Sequence, residues 1–157
     1  MSIFVKCTEW KGESKVKGYT DCWEVHGFNF GVGRAVAAAR GTSTRQGSVA
    51  SVSEITVSKQ SDAVSVKLFE EALKGKLDRK VEIHFLRTGE DEPKPYVILK
   101  LEGCGISGFS ISSGGDRPTE SVTLNFDKVE FGYDPIGDGL TGKYSGFTWD
   151  LAAAAKA

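Results

Sequence analysis

Asp116-Arg117-Pro118-Thr119-Glu120-Ser121-Val122-Thr123-Leu124-Asn125-Phe126-Asp127-Lys128-Val129-Glu130-Phe131-Gly132-Tyr133-Asp134-Pro135 is the stretch whose reading decides the fold. Val122, Leu124 and Phe126 alternate on even positions, whereas Val129, Phe131 and Tyr133 alternate on odd ones. A strand has period two, so one apolar face survives this change of parity only if an extra residue is inserted. A β-bulge at Asp127-Lys128 is the expected device, and it bends the strand. A long bent strand with one continuous apolar face belongs in a barrel or a closed sandwich.

The same signature recurs upstream. In Asp21 to Val32, Trp23 and Val25 are odd, Phe28, Phe30 and Val32 are even, and Gly27 sits at the switch as a second expected bulge. Ile3 to Trp10 alternates and reads as the first strand, and Lys11 to Thr20 reads as a polar connecting loop. Further strands are expected over Val49–Lys59, Lys80–Arg87, Tyr96–Glu102 and Ser107–Ile111, the last two broken at Gly103-Cys104-Gly105. Val64 to Lys74 carries Val64, Leu68 and Ala72 at helical spacing, with Leu73 beside them. Asp62 and Ser65 are candidate caps for its start, and Gly75 for its end. About seven strands and one helix imply a mainly β barrel or sandwich. The expected core is Trp23, Val25, Phe28, Phe30, Val81, Ile83, Phe85, Val122, Leu124, Phe126, Val129 and Phe131.

Gly33 to Ser48 is the anomaly. It has three arginines, Arg34, Arg40 and Arg45, and no acidic residue, and it is longer than ordinary connections in compact domains. It reads as a projecting basic arm. Glu90, Asp91 and Glu92 make the turn between two later strands acidic.

A chain of 157 residues that is 39% hydrophobic fits one domain with a real core. The net charge of −1 argues against bulk electrostatic attraction to nucleic acid or an anionic membrane. No apolar run reaches the length of a membrane span, and no secretory signal opens the chain. An odd count of cysteines, Cys7, Cys22 and Cys104, favours reduced thiols in a protein made in the cytosol.

Little in the sequence suggests chemistry. Gly31-Val32-Gly33-Arg34-Ala35-Val36-Ala37 has valine where a dinucleotide-binding turn needs its third glycine, and no βαβ unit follows. His26 and His84, the two histidines, fall at strand positions opposite the apolar face, where solvent or an interface is the expected neighbour. Glu70-Glu71 reads as the solvated face of the helix, and Glu120 and Glu130 have no spacing that defines a carboxylate pair. No metal-binding spacing of Cys and His is present. The expectation is therefore no enzyme, no cofactor and no metal.

Three co-linear stretches resemble one family. The first joins Ile3-Phe4-Val5-Lys6, Lys11-Gly12-Glu13-Ser14-Lys15 and Trp23-Glu24-Val25-His26-Gly27-Phe28-Asn29-Phe30-Gly31. The second is Ile55-Thr56-Val57-Ser58-Lys59 with Asp62 and the helix. The third, and most specific, runs from Ile111-Ser112-Ser113-Gly114-Gly115-Asp116-Arg117-Pro118 through Phe126. Together they are similar to the haemolysin-coregulated proteins, Hcp, of the bacterial type VI secretion system. The resemblance covers Ile3 to Trp149 and implies a single domain over residues 3–149, followed by an Ala-rich tail, 150–157. It implies a two-sheet β-barrel with one flanking helix, similar to phage tail-tube proteins and assembled as a hexameric ring. It further implies stacked rings that form a secreted inner tube, sheath and spike proteins as partners, and small effector proteins carried in the lumen. Such a protein waits in the bacterial cytoplasm and is expelled without a signal peptide.

Two readings compete with this one: a monomeric β-barrel that binds a small ligand or carbohydrate, and a hydrolase whose site is assembled from distant residues. For the tube reading, the basic arm of one ring is expected to meet acidic groups of the next, with Arg34, Arg40, Arg45, Glu90, Asp91 and Glu92 as the stacking residues.

Overall fold

A computed structural model describes residues 2–37, 46–47, 49–87, 93–137, 140–141 and 144–156. In chain order the elements are β1 (Ser2–Lys6), β2 (Trp23–Val25), β3 (Gly27–Asn29), β4 (Val32–Gly33), β5 (Val36–Ala37), β6 (Gln46–Gly47), β7 (Ser51–Val52), β8 (Ile55–Gln60), α1 (Ser65–Lys74), β9 (Arg79–Arg87), β10 (Lys94–Ser112), β11 (Thr119–Asn125), β12 (Lys128–Tyr133), β13 (Ile136–Gly137), β14 (Leu140–Thr141), β15 (Ser145–Asp150) and β16 (Ala155–Lys156). The protein is mainly β, with one helix among the described residues.

Two sheets share β10. The first runs β2-β1-β9-β10-β12-β15-β16, and the second runs β10-β11-β8-β3. The pairings are antiparallel throughout. The chain also changes sheet between β2 and β3, where the His26 N–H donates to the Ser58 carbonyl at 2.7 Å. With β10 turning one corner and β2–β3 turning the opposite one, the sheets close into a barrel.

The decisive stretch is β11 and β12, laid end to end along β10. The β-bulge expected at Asp127-Lys128 is absent: the chain breaks pairing at Phe126-Asp127, and no residue is extra there. Glu102 faces Lys128 and Gly105 faces Asn125, with two unladdered residues on each strand between these pairs. Neither strand slips past the other, and both turn the barrel corner together. Gly103 enables the turn. Its φ is +60°, and a Cβ built there would lie 2.8 Å from Asp127 Cγ. The Asp127 N–H closes the corner on the Glu102 carbonyl at 2.9 Å. β10 carries one-residue slips at Ser107 against β11, between the Ile106–Leu124 and Gly108–Thr123 pairs, and against β9 at Tyr96 and between Leu101 and Cys104. Tyr96–Glu102 and Ser107–Ile111, expected as two strands, are parts of the continuous β10.

Trp23, Val25, Val81, Ile83, Val122, Leu124, Phe126 and Val129 are buried in the main core, together with Trp10, Ile55, Val57, Leu99 and Leu101. Phe28, Phe30 and Phe85 are half-buried and pack against it. Phe28 meets Phe85 edge-on at 5.0 Å between centroids, and Phe30 meets Phe126 at 6.1 Å. Phe131 is a correction, since it is 52% exposed. Period two keeps it on the face of Val129, but beyond Val129 the strand leaves the part of the first sheet that the second sheet covers.

Three other segments differ from expectation. Val49–Lys59 divides into β7 and β8. The segment expected as a loop arm is a two-stranded ribbon where described: β4 pairs with β7 and β5 with β6. The C-terminal end doubles back, with β16 pairing with Trp149 and Asp150 of β15.

Helix α1 packs Val64 and Leu68 into the core. Asp62 Oδ1 accepts the Val64 N–H at 3.1 Å, and the Ser65 hydroxyl accepts the Asp62 N–H at 2.9 Å. Neither is the cap expected from the sequence: Val64 is the N-cap residue and makes no side-chain cap hydrogen bond, and Asp62 and Ser65 brace the turn before it. At the other end, the Gly75 N–H donates to the Glu71 carbonyl at 2.9 Å. Leu73 lies on the outer side, 72% exposed.

Candidate functional site

The three stretches that carry the family resemblance meet in space. Lys59 continues the inward alternation of Ile55 and Val57 on β8. Glu120 continues that of Val122 and Leu124 on β11, and the register sets Glu120 directly opposite Lys59. Both side chains are buried. Lys59 Nζ, with three N–H donors, lies within hydrogen-bond distance of four acceptors: Glu120 Oε1 at 3.1 Å, Asp62 Oδ1 at 2.8 Å, the Gln60 carbonyl at 2.8 Å and Ser65 Oγ at 3.2 Å. It lies 6.0 Å from the centre of the Trp23 ring. Glu120 also accepts from Ser61 at 2.5 Å and from Ser65 at 2.9 Å. Burial by itself would raise the Glu120 carboxyl, but bonds from Ser61, Ser65 and Lys59 outweigh it and hold its pKa below the ordinary value.

On the surface beside this network, Arg117 Nε donates to the Ser61 carbonyl at 2.8 Å, and its Nη2 lies 3.6 Å from Glu13 Oε1. Gly12 lets the Glu13–Ser14 loop approach. Its N–H donates to the Asp21 carbonyl at 2.8 Å, and a Cβ would fall 2.7 Å from Trp23 Cβ. These elements bound a polar cleft of about 310 Å³ that His26, Gln60 and Asp62 also line. The cluster ties the helix start, the second sheet and the first loop together, so its chemistry is that of a structural joint.

Two further polar groups depart from expectation. Glu71, read as solvated, is buried. It accepts from Arg79 Nη2 at 3.0 Å and lies 3.4 Å from Lys67 Nζ. Burial would raise its pKa, but Arg79 and then Lys67 hold it below the usual carboxylate range. Arg79 sits at the start of β9, directly below the helix, a tertiary neighbour that helical periodicity does not reveal. His84, read as facing solvent or an interface, is covered because the first loop folds over the outer face of the first sheet. Its Nδ1 is 2.9 Å from the Tyr19 hydroxyl and its Nε2 is 3.2 Å from Glu82 Oε2. A neutral ring satisfies both, with Nε2–H donating to Glu82 and Nδ1 accepting from Tyr19. Burial lowers its pKa, and Glu82 opposes that effect. Phe4, Tyr19, Cys22 and Leu86 form a small second core here.

All three thiols are buried and free. Burial pushes Cys7 and Cys104 up to about 12 and raises Cys22, so none is an activated nucleophile. Among the described residues, no group of three or more His, Cys, Asp or Glu side chains is placed to hold a metal. No helix of the described residues is long and apolar enough to cross a membrane.

Among the described residues, the exposed apolar surface falls mainly in two places. On α1 and just beyond it, Val66, Phe69, Leu73 and Leu77 are exposed, with Ile111 at the end of β10. Phe69 lies edge-on to Phe109, 6.0 Å away. The other place is a groove of about 380 Å³ between the base of the ribbon and the β12–β15 pair, lined by Phe30, Val32, Val52, Phe131, Phe147 and Trp149 among others. Of the residues expected to act in ring stacking, Arg34 is exposed beside β4. Arg40, Arg45, Glu90, Asp91 and Glu92 lie outside the described residues.

A closed two-sheet barrel with one flanking helix and a projecting ribbon defines the class, a mainly β barrel protein. The model of the family described as "Type VI secretion system effector, Hcp" matches residues 4–133, and the chain belongs to that family. It is 28% identical over 137 residues to protein hcp1 of Pseudomonas aeruginosa, spanning 86% of this chain and 84% of that one. The solved structure of a type six secretion system protein is 26% identical and superposes with a TM-score of 0.89 over 99% of both chains. The fold is also that of Hcp1 from Salmonella typhimurium, which is 19% identical, with a TM-score of 0.77 over 99% of this chain and 98% of that one. Membership makes this a protein of the type VI secretion tube and effector group and implies secretion by that system.

Proposed function

We propose that the chain is the repeating subunit of a type VI secretion inner tube, closing into hexameric rings that stack. The observation that carries this reading is the family match over residues 4–133 together with the full-length superposition on a type six secretion system protein. The barrel, residues 3–149, is the building block, and the doubled-back end is an appendage to it. Sheath and spike proteins surround and cap the tube, and small effector proteins ride in its lumen. The protein waits in the cytoplasm and leaves as a pre-folded ring. The ribbon arm supports ring stacking, with Arg34, Arg40 and Arg45 meeting Glu90, Asp91 and Glu92 of the next ring. Charges at such a rim set register and encounter rate and are screened by salt.

The direct test is mass. Size-exclusion with light scattering should give a compact species of about six subunits, the closed ring of head-to-tail contacts. A monomer at micromolar concentration would favour the small-ligand barrel instead, for which the apolar groove offers a site. Release is the second test. Deleting the sheath gene should retain the protein in the cells, whereas undiminished release, with lysis controlled by a cytosolic marker, would overturn the tube assignment. Reversing the three arginines to glutamate should leave hexamers intact and impair tubes, and normal tubes from that variant would dismiss the stacking role.

A further inference from the structure

We infer that the outer apolar stripe of α1 on one copy of this chain seats in the apolar groove between the ribbon base and β12–β15 on the next copy. The inference rests on the ring reading and names the contact that would close it.

A folded chain ordinarily hides large apolar side chains or scatters them singly, and clustered exposure marks a surface that another molecule covers. Among the described residues the clusters are two and separate. Val66, Phe69 and Leu73 recur at three- and four-residue spacing, which places them along one side of α1, 78%, 53% and 72% exposed. The opposite side of the same helix supplies Val64 and Leu68 to the core, so the helix is apolar on two faces. The groove is concave and aromatic. Phe131 is paired across the ladder with Phe147, and Val129 with Trp149. Phe147 and Trp149 lie with their centroids 6.4 Å apart.

A second copy is the occupant these features select. The stripe is convex and the groove is concave, and the two share no residue. Stripe against stripe would leave the groove open and would stop at a dimer. Stripe into groove gives every copy one donor face and one acceptor face, which is the requirement of a head-to-tail ring. The chemistry agrees: aromatic anchors in an apolar centre with charge at the edge are typical of stable interfaces. Lys67, Glu70 and Lys74 flank the stripe and supply that polar edge. An interface of ordinary size buries about 800 Å² from each partner, so stripe and groove are its centre and neighbouring surface completes it.

The test uses two single-cysteine additions in the full chain, Leu73→Cys and Phe147→Cys, with a short thiol-to-thiol cross-linker. The native cysteines are buried and stay silent, as a cross-linked wild-type control verifies. Copies of the two variants are mixed under conditions that let subunits exchange. The expected result is a covalent dimer from the mixture, little from either variant alone, and closed multimers from the chain that carries both changes. Dimers from Leu73→Cys alone would overturn the inference in favour of a symmetric contact. A hexamer by light scattering with no cross-link in the mixture would overturn it while leaving the ring reading intact. A wild-type monomer would remove both. Phe69→Glu and Phe147→Glu provide a second measurement, made on variants whose thermal melts match wild type. Each alone should be monomeric, and an equimolar mixture should form a dimer through the one intact stripe and the one intact groove. Hexamers from either single variant would overturn the inference.

Discussion

Lys59 Nζ and Glu120 Oε1 lie 3.1 Å apart inside the barrel wall, paired across the β8–β11 ladder with both side chains buried. The pair joins two stretches 61 residues apart in sequence. Its hydroxyl and carboxylate neighbours, Ser61, Ser65 and Asp62, bring the start of α1 to the same point. A buried ion pair adds little net stability over an apolar replacement, but breaking it strands a charge.

Lys59→Met should therefore destabilise the subunit by about 3–5 kcal/mol, because Glu120 and Asp62 lose their cation. Adding Glu120→Leu should recover part of that loss, since the two sites are in contact and cannot behave additively. Urea unfolding of the two singles and the double measures this. Additive losses would show that the two residues do not act as a pair.

Acid should weaken the fold in two stages. Glu71 and Glu120 have folded pKa values below the ordinary 4.5, so the unfolded chain binds more protons as pH falls past 4.5. Their stabilisation is present above that pH and is lost as pH drops through the lowered values. His84 is also lowered, from 6.5, by burial. Its contribution is complete above 6.5 and declines as pH falls below it, because the unfolded ring takes up a proton that the folded one refuses. Melting temperatures from pH 8 to pH 3 should fall gently below 6.5 and steeply below 4.5. Glu120→Gln should flatten the steep limb, and an unchanged limb would contradict its role.

Phe126 and Phe131 should separate folding from assembly. Phe126 is 3% exposed, so Phe126→Ala should cost about 3–5 kcal/mol. Phe131 is half exposed on the groove wall, so Phe131→Ala should change subunit stability by less than about 1 kcal/mol. It should nevertheless weaken the ring, read as dissociation at higher protein concentration than wild type. Equal stability losses in the two variants would contradict this division.

The barrel corner should depend on Gly103. Its φ of +60° lies in the left-handed region, and a Cβ there would press on Asp127. Gly103→Ala should destabilise by more than about 1 kcal/mol through strain and crowding together. Asp127→Ala in the same chain should relieve the crowding and leave the backbone strain. Denaturant midpoints of the single and double variants test this, and a neutral Gly103→Ala would refute the corner assignment.

Much of this was legible in the residues themselves. Period-two alternation located the strands, the parity change between Phe126 and Val129 located the barrel corner, and helical spacing located α1, because each is a local consequence of backbone geometry. Co-linear motifs were enough to point to the Hcp family. Even Lys59 and Glu120 were in phase with apolar neighbours, although two lone charges on apolar faces, 61 residues apart, do not reveal that they pair. Tertiary structure alone decided the rest. It divided the corner between two strands and set the one-residue slips of β10 at Ser107 against β11 and at two places against β9. It covered His84 with a folded loop and set Arg79 under Glu71. It left Phe131 outside the core although its alternation is faultless. Periodicity states which side of a strand a residue occupies. Whether anything lies on that side depends on where the other sheet ends, and that is settled only when distant segments pack.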